Sequence, residues 1–358
     1  MDLVAEQYRT HYANPGSAHA DGRQARRVLE DAREQLASLL GAHPQEVIFT
    51  SGGTESINLA IQGFLSGSPG EIVLPAGEHP ATLNTIRRLA PRGMKQIQLP
   101  LDAGGRIQTD GILEQNWEHV QLATAILAHN ETGVIQEIAP LVEACQKHHI
   151  PLHLDCVQAI GKIPFHFHDS GATAVSLAAH KFHGPRGVGA LIVKEGARLL
   201  PQIAGGHQER GKRAGTEPVA LAAGMAQALA TAVREQEQRS SQTAALRDRL
   251  QKGLQELCSP TVINGNRQHR LPNTLNISFP GLDGEALLIS LDLAGISCSL
   301  GSACASGSRD PAPVLLAMGC EERVYRSAVR LSLSFLNTKE EIDAAILRIS
   351  KVVNQQRS

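Results

Sequence analysis

The sequence predicts an α/β fold with a large, mostly parallel sheet, followed by a smaller α+β domain at the C-terminal end. Short apolar runs of strand length alternate with longer helical segments through the first two thirds of the 358 residues, which is typical of a parallel sheet covered on both faces. A charged helical stretch at 235–256 then interrupts this alternation. We therefore assign 1–238 to a large domain and 239–358 to a small C-terminal domain.

The elements of the large domain follow from apolar runs for strands and amphipathic stretches for helices. The predicted strands are Val47–Phe49, Ile72–Leu74, Gln96–Leu99, Leu122–Leu127, Pro151–Leu154, Ala174–Leu177 and Val188–Val193. The predicted helices are Asp21–Leu40, Glu55–Gly63, Ala81–Leu89, Ile138–His148 and one long helix near Pro218–Leu254. In such sheets ligands bind beyond the carboxyl ends of the strands, so reactive residues are expected there.

The small domain is predicted to mix strands and helices. Its patterns are a strand at 273–279, a helix at 283–295, a loop of small residues, a helix at 311–319, a strand at 328–335 and a helix at 338–350. The loop of small residues separates two otherwise regular patterns, so we expect it to be exposed.

Composition excludes several classes of function. Hydrophobic residues make up 42% of the chain and the formal charge is −1, which gives no reason to expect nucleic acid or a membrane surface as a partner. The amino-terminal sequence lacks the pattern of a signal peptide, and no apolar run has the length of a membrane span. Six scattered cysteines without a CxxC pair indicate a reduced, cytoplasmic protein. We assign no residue to a metal.

A glycine-containing turn follows the first predicted strand. In "IFTSGGTESINLAI" (48–61), a helix begins directly after Ser51, Gly52, Gly53 and Thr54. Glycines allow the backbone to approach a ligand, a helix N-terminus attracts anions, and the hydroxyls of Ser51 and Thr54 add donors. The turn therefore favours a phosphate site, with an ordinary strand-to-helix turn capped by Thr54 as the alternative.

A carboxylate and a lysine follow two later strands. Asp155 ends one apolar run, Gln158 lies three residues on, and Lys181 follows the next run beside His180. Together with a phosphate cradle, these groups match pyridoxal phosphate, which has a phosphate, a ring nitrogen that a carboxylate keeps protonated, and an aldehyde that a lysine captures as a Schiff base. The alternatives are a turn-capping aspartate and a surface lysine.

Two further residues lie where they suit such a site. His79 follows another strand, where its ring can stack on a flat cofactor and exchange protons; the alternative is a residue that only begins a helix. Arg330 lies inside a strand pattern, where its guanidinium group needs an anionic partner. A substrate carboxylate would match the paired donors of this group. An internal Asp or Glu is the alternative partner of Arg330.

Cys304 lies in "SCSLGSACASGSRDP" (297–311), among Gly, Ser and Ala. Few apolar neighbours are available to bury it, whereas structural cysteines are usually buried. We interpret it as an accessible nucleophile in a mobile loop. Cys145, Cys258 and Cys298 are interpreted as structural.

The chain resembles a cysteine desulfurase of the class V aminotransferase family, of the nitrogenase and iron–sulfur-cluster type. The resemblance rests on motifs that follow the family order along nearly the whole chain: "NPGSAH" (14–19), "TSGGTES" (50–56), "EH" (78–79), "HNETG" (129–133), "DCVQAIGK" (155–162), the stretch around "HKFHGPRGVGAL" (180–191), "GGHQERGKRAGTEP" (205–218) and "LGSACASGS" (300–308). It implies the pyridoxal-phosphate-dependent transferase fold of type I and pyridoxal 5′-phosphate as cofactor.

The resemblance also implies roles for particular residues. Those that would bind the cofactor are Gly53, Thr54, His79, Asn130, Asp155, Gln158, His180, Lys181 and Thr216. Lys181 would carry the cofactor, His79 would stack on its ring, and Thr216 would reach the phosphate of a partner subunit in a homodimer.

The remaining implied roles concern the substrate. Arg330 and Asn130 would bind L-cysteine, and Cys304 would take its sulfur as a persulfide, leaving L-alanine. The sulfur would then pass to an acceptor protein, either a cluster scaffold or another carrier, for iron–sulfur cluster or thio-cofactor assembly.

The chain departs from the family pattern in several places. A segment like "LDNAATTP" normally precedes the helix that corresponds here to "VAEQYRTHY", which raises the question whether Met1 is the true start. Ala178 stands where the family has a Ser or Thr phosphate ligand. Cys156 and His129 also differ from the family, and the sequence offers no account of either.

Two other functions remain as alternatives, and the missing segment and Ala178 motivate the second of them. A selenocysteine lyase could work without the cysteine nucleophile. A catalytically degenerate paralogue would keep the dimer and bind sulfur-transfer partners. Comparing L-cysteine with selenocysteine as substrate separates the first from a desulfurase, and a colourless protein would favour the second.

Overall fold

The computed structural model describes residues 2–65, 67–300 and 312–358. Within them, the strands are β1 (Val47–Thr50), β2 (Gly70–Pro75), β3 (Met94–Leu99), β4 (Val120–Ile126), β5 (Leu152–Asp155), β6 (Ala174–Ala178), β7 (Gly189–Val193), β8 (Val262–Ile263), β9 (Thr274–Ser278), β10 (Ser299–Leu300) and β11 (Ala328–Ser332). The seven strands predicted for the large sheet are all present, with ends that differ by at most two residues.

The helices lie between these strands. They are α1 (Asp2–Thr10), α2 (Ala20–Leu40), α3 (Gly53–Phe64), α4 (Pro80–Leu89), α5 (Thr109–Leu113), α6 (Ala139–Lys147), α7 (Val219–Arg234), α8 (Gln236–Leu257), α9 (Gly284–Leu293), α10 (Pro313–Ala317), α11 (Glu322–Tyr325) and α12 (Lys339–Arg357). None of the helices in the described residues is long and apolar enough to cross a membrane.

The large sheet has seven strands in the order β1-β7-β6-β5-β4-β2-β3. Strands β2 to β6 pair in parallel, while β7 runs antiparallel to both β6 and β1. As a result β1 points the same way as β6. The strands β1, β2, β4, β5 and β6 therefore all end at one edge of the sheet, which we call the carboxyl edge, and begin at the opposite amino edge. The α/β prediction with a large, mostly parallel sheet is confirmed.

Helices cover this sheet because their apolar faces match its buried strands. Helix α2 shows how the sequence sets such a helix: the His19 ring caps its first turn by accepting from the N–H of Gly22, and the left-handed Gly41 (φ 62°) ends it. Between these ends, Leu29 and Leu36 lie on the same face of the helix, two turns apart, and both are buried in the main core.

A second sheet, antiparallel in the order β10-β11-β9-β8, forms the core of the C-terminal part. Its apolar cluster includes Leu275, Ile277 and Val329 from the strands, with Leu250 from α8 and Ile346 from α12. Helix α10 packs elsewhere, since its Val314 and Leu315 belong to the main core of the large sheet. The domain boundary at 238/239 stays a prediction.

The single long helix predicted near Pro218–Leu254 is wrong. The structure has two helices, α7 and α8, with a break at Glu235 (φ −104°, ψ 8°). Helix α7 buries its apolar face in the main core, whereas α8 packs Leu246 and Leu254 into the second cluster. The helix breaks because its two halves pack into two different cores.

Candidate active site

A cavity of about 410 Å³ opens at the carboxyl edge of the large sheet. Nearly every candidate residue from the sequence lines it, and these residues are Gly53, Thr54, His79, Asn130, Asp155, Gln158, His180, Lys181 and Arg330. They follow or end strands β1, β2, β4, β5 and β6, with Arg330 supplied by β11 of the second sheet. The cavity therefore lies where the two sheets meet.

Helix α3 begins directly after the turn that follows β1, and its first residues line this cavity. The capping residue is Gly52, and no side chain caps the helix, so the first-turn N–H groups have no intrahelical partner. A Cβ on Gly53 would lie 2.7 Å from Val157 Cγ2, so only glycine fits this close approach. The alternative of a turn capped by Thr54 is therefore not found, and Thr54 instead lines the cavity.

Ser51 has a different place from the one predicted. It is exposed and is absent from the cavity lining. Its backbone N–H donates to Glu55 Oε2 at 2.8 Å, and Arg213 Nε donates to Glu55 Oε1 at 2.7 Å. This contact ties the turn to the 205–218 motif, and it is a structural role that the sequence did not reveal.

Asp155 and Gln158 project from the end of β5. Asp155 Oδ1 accepts from the N–H of Val157 at 2.9 Å, so it caps a turn and lines the cavity at the same time. Burial raises the pKa of Asp155 to about 6, although the nearby Lys181 ammonium opposes this rise. Lys162 Nζ donates to Gln158 Oε1 at 2.7 Å. Because the amide oxygen is thus engaged, the amide NH₂ of Gln158 remains to donate.

Lys162 lines the cavity, although the sequence motif 155–162 that contains it predicts no role for this lysine. It lies beside Lys181 in the lining, and burial together with the Lys181 charge lowers its pKa to about 7. The sequence offers no signal for this role, because a single lysine after a turn is usually solvated. The cavity therefore contains two amines, and only one of them was predicted.

Lys181 lies in a short 3-10 turn, Ala179–Phe182, directly after β6. Its charge acts on groups all around the cavity. Together with burial, which has the larger effect, it lowers the pKa values of His79 and His180. His79 begins helix α4, and its Nδ1 accepts from the N–H of Ala81 at 3.0 Å. The ring is therefore neutral with its proton on Nε2, and it both caps a helix and lines the cavity.

Arg330 has the internal acidic partner that we kept as an alternative. Its NH1 donates to Glu131 Oε1 at 2.7 Å and to the backbone oxygen of Asn130 at 3.1 Å. Three buried polar atoms around it have no partner within the described residues, and they are Arg330 Nε, Glu131 Oε2 and Asn130 Oδ1. Burial raises the pKa of Glu131 to about 7, despite the opposing charge of Arg330. This group of residues can still bind a further polar ligand.

The structure gives His129 a clear role. Its Nε2 donates to the backbone oxygen of Gly77 at 2.9 Å, and its Nδ1 accepts from the N–H of Glu131 at 3.1 Å. Burial, with smaller contributions from His79 and Arg330, lowers the pKa of His129 to about 4. A neutral His129 therefore ties the segment after β4 to the segment after β2. Cys156 is fully buried in the main core.

Glu78 is a second residue of this region to which sequence reasoning assigned no role. It is 2% exposed, and its Oε1 accepts from the N–H of Ile126 at 2.7 Å. Burial raises its pKa well above the ordinary value, and the Asp155 carboxylate adds to this rise. Glu78 is therefore a second buried carboxyl group that interacts with Asp155.

Two further candidates, Thr216 and Cys304, do not line the cavity within the described residues. Thr216 is exposed and does not line the cavity of its own chain. Ala178 does line it, at the end of β6 and next to Gly53, and its methyl group offers no hydrogen bond. Cys304 lies outside the described residues. Cys145 and Cys258 are buried, while Cys298 is half-buried.

Comparison with known proteins supports the assignment of the family. The pattern described as aminotransferase class-V matches residues 1–345. A protein of Azotobacter vinelandii named cysteine desulfurase NifS is 38% identical over 350 residues, which is 97% of this chain and 87% of that protein. One of Dictyoglomus turgidum named cysteine desulfurase IscS is 37% identical over 97% of this chain and 89% of that protein.

Solved structures agree with this comparison. One described as a NifS-like protein superposes with a TM-score of 0.92 at 35% identity, covering 99% of this chain and 95% of that one. A NifS-like protein from Rickettsia africae gives a TM-score of 0.87 at 32% identity, with 99% of this chain and 95% of that chain covered.

Proposed function

The chain belongs to the class-V aminotransferase family and is a cysteine desulfurase, and we propose that it acts with pyridoxal 5′-phosphate bound at the carboxyl edge of the large sheet. One observation carries this proposal. A lysine, a carboxylate, an imidazole and a helix N-terminus, each following a different strand, line the same cavity of about 410 Å³. This combination matches the separate chemical groups of that cofactor.

The residues present fit the cofactor group by group. The start of α3, with Gly53, Thr54 and His180, is suited to the phosphate, because its N–H groups lack intrahelical partners. Asp155 is suited to the ring nitrogen, and the amide NH₂ of Gln158 to the ring hydroxyl. His79 would stack on the ring. When bound, pyridoxal phosphate supplies a protonated ring that withdraws electrons from the substrate.

Lys181 would hold the cofactor and later move protons near the substrate. Its amine lies among the groups of the cavity, since its charge acts on Lys162 and His180 and also on Asp155 and Glu131. The neutral His79 can exchange a proton at Nε2, because its Nδ1 is occupied by the N–H of Ala81.

Arg330 would bind the carboxylate of L-cysteine. Its NH1 is held by Glu131, which orients the guanidinium, while Nε has no partner within the described residues. Asn130 lies beside it with a buried, unpartnered side-chain oxygen, Oδ1. We infer that Arg330 and Asn130 position the substrate together.

The sulfur step would use Cys304, which lies in the Gly-, Ser- and Ala-rich segment 301–308. The thiolate of Cys304 forms an S–S bond with the substrate sulfur while the C–S bond of cysteine breaks. The electron pair of the broken bond stays with carbon, which takes up a proton, so that L-alanine leaves and a persulfide remains on Cys304. A sulfur-acceptor protein, either a cluster scaffold or another carrier, then receives this sulfur.

We infer a homodimer in the cytoplasm. The exposed position of Thr216 supports the dimer, because this residue does not line its own cavity and would reach the phosphate of a partner subunit. The five cysteines within the described residues are all free, as in reduced compartments. Selenocysteine lyase activity and a degenerate, non-catalytic role have no specific observation in their favour.

The test uses two variants of the purified protein. Lys181→Ala should lose the visible absorbance of the bound cofactor and the production of alanine from L-cysteine. Cys304→Ala should keep the cofactor absorbance but lose reductant-dependent sulfide release by about 10³-fold or more. Sulfide release by Cys304→Ala at the wild-type rate would show that another group takes the sulfur. A wild-type protein that stays colourless with added pyridoxal phosphate would refute the cofactor assignment.

A further inference from the structure

Three potential metal ligands meet at the amino edge of the large sheet, the edge opposite the cavity. Glu46 lies directly before β1, and His168 lies in the 3-10 turn His168–Ser170 that precedes β6. His43 begins the 3-10 turn that contains Glu46. One nitrogen of each imidazole and one oxygen of Glu46 lie within 4.8 Å of one another. We call these three residues the amino-edge cluster.

Glu46 is a buried anion at the centre of this cluster. Its side chain is 0% exposed, and its Oε1 accepts from the N–H of Glu195 at 2.9 Å. Its Oε2 accepts from the N–H of His43 at 2.7 Å and from His168 Nε2 at 2.9 Å. Although burial alone would raise it, these hydrogen bonds lower the pKa of Glu46. The carboxylate is therefore charged, and it is fixed in place by backbone contacts.

The two imidazoles are held near the carboxylate while remaining accessible. His43 precedes Pro44, which restricts its backbone to the extended conformation found here (φ −90°, ψ 149°). His168 is anchored by its neighbour Phe167, whose N–H donates to the backbone oxygen of Leu40 at 2.7 Å. The rings of His43 and His168 contact each other edge to face, with centroids 5.1 Å apart. Both side chains reach solvent, so each can rotate slightly.

A structural hydrogen bond to Glu46 would need only one imidazole. The second imidazole of the cluster therefore points to a metal ion as the common partner. Two imidazoles and one carboxylate are a ligand set that zinc uses in proteins, with water in the fourth position. Zinc–nitrogen bonds of about 2.0–2.1 Å in a tetrahedron require donor atoms roughly 3.3 Å apart. Small rotations of the exposed rings are enough to bring the donors from within 4.8 Å to this spacing.

We propose that His43, Glu46 and His168 form a binding site for a divalent first-row cation of the zinc type, with solvent completing its coordination. The cation would replace the proton between His168 Nε2 and Glu46 Oε2, while the backbone contacts of Glu46 remain. Soft thiolates are not part of the site, and imidazole with carboxylate suits zinc, cobalt or nickel.

Such a cation would cross-link parts of the chain that are far apart in sequence. It would join the segment before β1 to the segment before β6, which lie 122 residues apart. It would also fix the turn that supports the 205–218 motif, because Arg210 NH1 and NH2 donate to the backbone oxygens of Gln45 and Pro44. The site lies away from the cavity, so we expect it to stabilise the fold without entering the chemistry.

The test titrates the chelator-treated, cofactor-loaded protein with Co²⁺ and follows the visible d–d absorption. We expect one Co²⁺ per chain, displaced by Zn²⁺, with no thiolate charge-transfer band. Binding should persist in Cys304→Ser and be lost in both His43→Gln and His168→Gln. His119→Gln, which removes an exposed imidazole outside the cluster, should bind as the wild type does.

A thermal shift gives a second readout that does not depend on colour. A hundredfold excess of Zn²⁺ over its Kd should raise the Tm of the wild type by roughly 3 to 5 °C and leave that of His43→Gln unchanged. His43 is exposed, so this variant should fold, as far-UV circular dichroism can verify. Co²⁺ binding that is unchanged in His43→Gln and His168→Gln, or that requires Cys304, would overturn the proposal.

Discussion

Two arginine–glutamate pairs, one buried and one with a half-buried arginine, join distant parts of the chain, and they differ in how completely their atoms are paired. Arg33 donates to both oxygens of Glu209, at 2.7 and 3.0 Å, and also to Glu30 and the backbone oxygen of Val47. Arg330 contacts Glu131 through NH1 alone. Its Nε and Glu131 Oε2 are left without partners among the described residues.

This difference separates a structural pair from a binding site. The Arg33–Glu209 pair leaves no capacity for a ligand, and although burial opposes it, the bonds to Glu209 raise the pKa of Arg33. Arg330 lines the cavity, and its pair with Glu131 keeps unused donors and acceptors. The incomplete hydrogen bonding of the Arg330–Glu131 pair is therefore the feature that distinguishes the site.

The largest expected effect is the loss of stability on breaking the fully hydrogen-bonded Arg33–Glu209 pair. Arg33→Ala leaves the Glu209 carboxylate buried without its partner, so the free energy of unfolding should fall by about 3–5 kcal/mol. Arg330→Ala should cost less stability, because the pKa of Glu131, already about 7, lets that carboxyl take up a proton. Urea unfolding of both variants measures the two losses. Equal losses would remove the distinction between the pairs.

The pH dependence of stability sharpens the same comparison. The pKa of Glu131 is about 7 in the folded protein against 4.5 for an ordinary glutamate, so between these values the folded state binds the proton more tightly. Stability should therefore fall as pH rises through this window, by at most about 3 kcal/mol. Glu131→Gln should lose this part of the dependence. Urea unfolding at about pH 5 and about pH 7.5 measures it, and identical slopes for both proteins would count against the raised pKa.

Substrate binding directly tests the incompletely hydrogen-bonded Arg330–Glu131 pair. Arg330→Ala should raise the KM for L-cysteine by about 10- to 100-fold, since a hydrogen bond to a charged group contributes roughly 1.5–3 kcal/mol. Arg330→Lys keeps the charge but lacks the fork and should recover only part of the loss. Steady-state alanine production gives both values. A KM unchanged in Arg330→Ala would mean that another residue binds the carboxylate.

The smallest expected effect concerns Ala178, which lines the cavity but offers no hydrogen-bond donor. Ala178→Ser adds a hydroxyl at the end of β6 beside Gly53 and should tighten the binding of pyridoxal phosphate by about 10-fold. Ala178→Cys has a similar size but a weak donor, so it should bind the cofactor nearly as the wild type does. Fluorescence titration of the cofactor-free proteins gives the Kd values, and a weaker serine variant would contradict the phosphate assignment at this strand end.

The sequence predicted the large sheet well because most of its strands are buried on both faces and appear as apolar runs, whereas the edge strand β3 is partly exposed. The carboxyl-edge residues could be predicted for the same reason, since each one follows such a run. The break between α7 and α8 could not be predicted, because the sequence around Glu235 contains neither Gly nor Pro. It results from packing against two different cores.

Contacts between residues far apart in sequence were also beyond prediction. The partner of Arg330 is Glu131, 199 residues away, and the sequence could suggest only that some acid or substrate was required. Lys162 was hidden because a single lysine on a turn is usually solvated, and only the fold reveals that it shares the cavity with Lys181. The amino-edge cluster has no spacing motif for the same reason.

The central claim is that Lys181 is the residue that carries the cofactor, although Lys162 lies in the same cavity with a pKa of about 7. Borohydride reduction of the cofactor-loaded protein followed by peptide mass analysis distinguishes the two amines, because it fixes the pyridoxyl group on the lysine that holds it. The account predicts the added mass on the peptide containing Lys181 and none on Lys162. A pyridoxyl group on Lys162, or on neither lysine in a coloured protein, would contradict it.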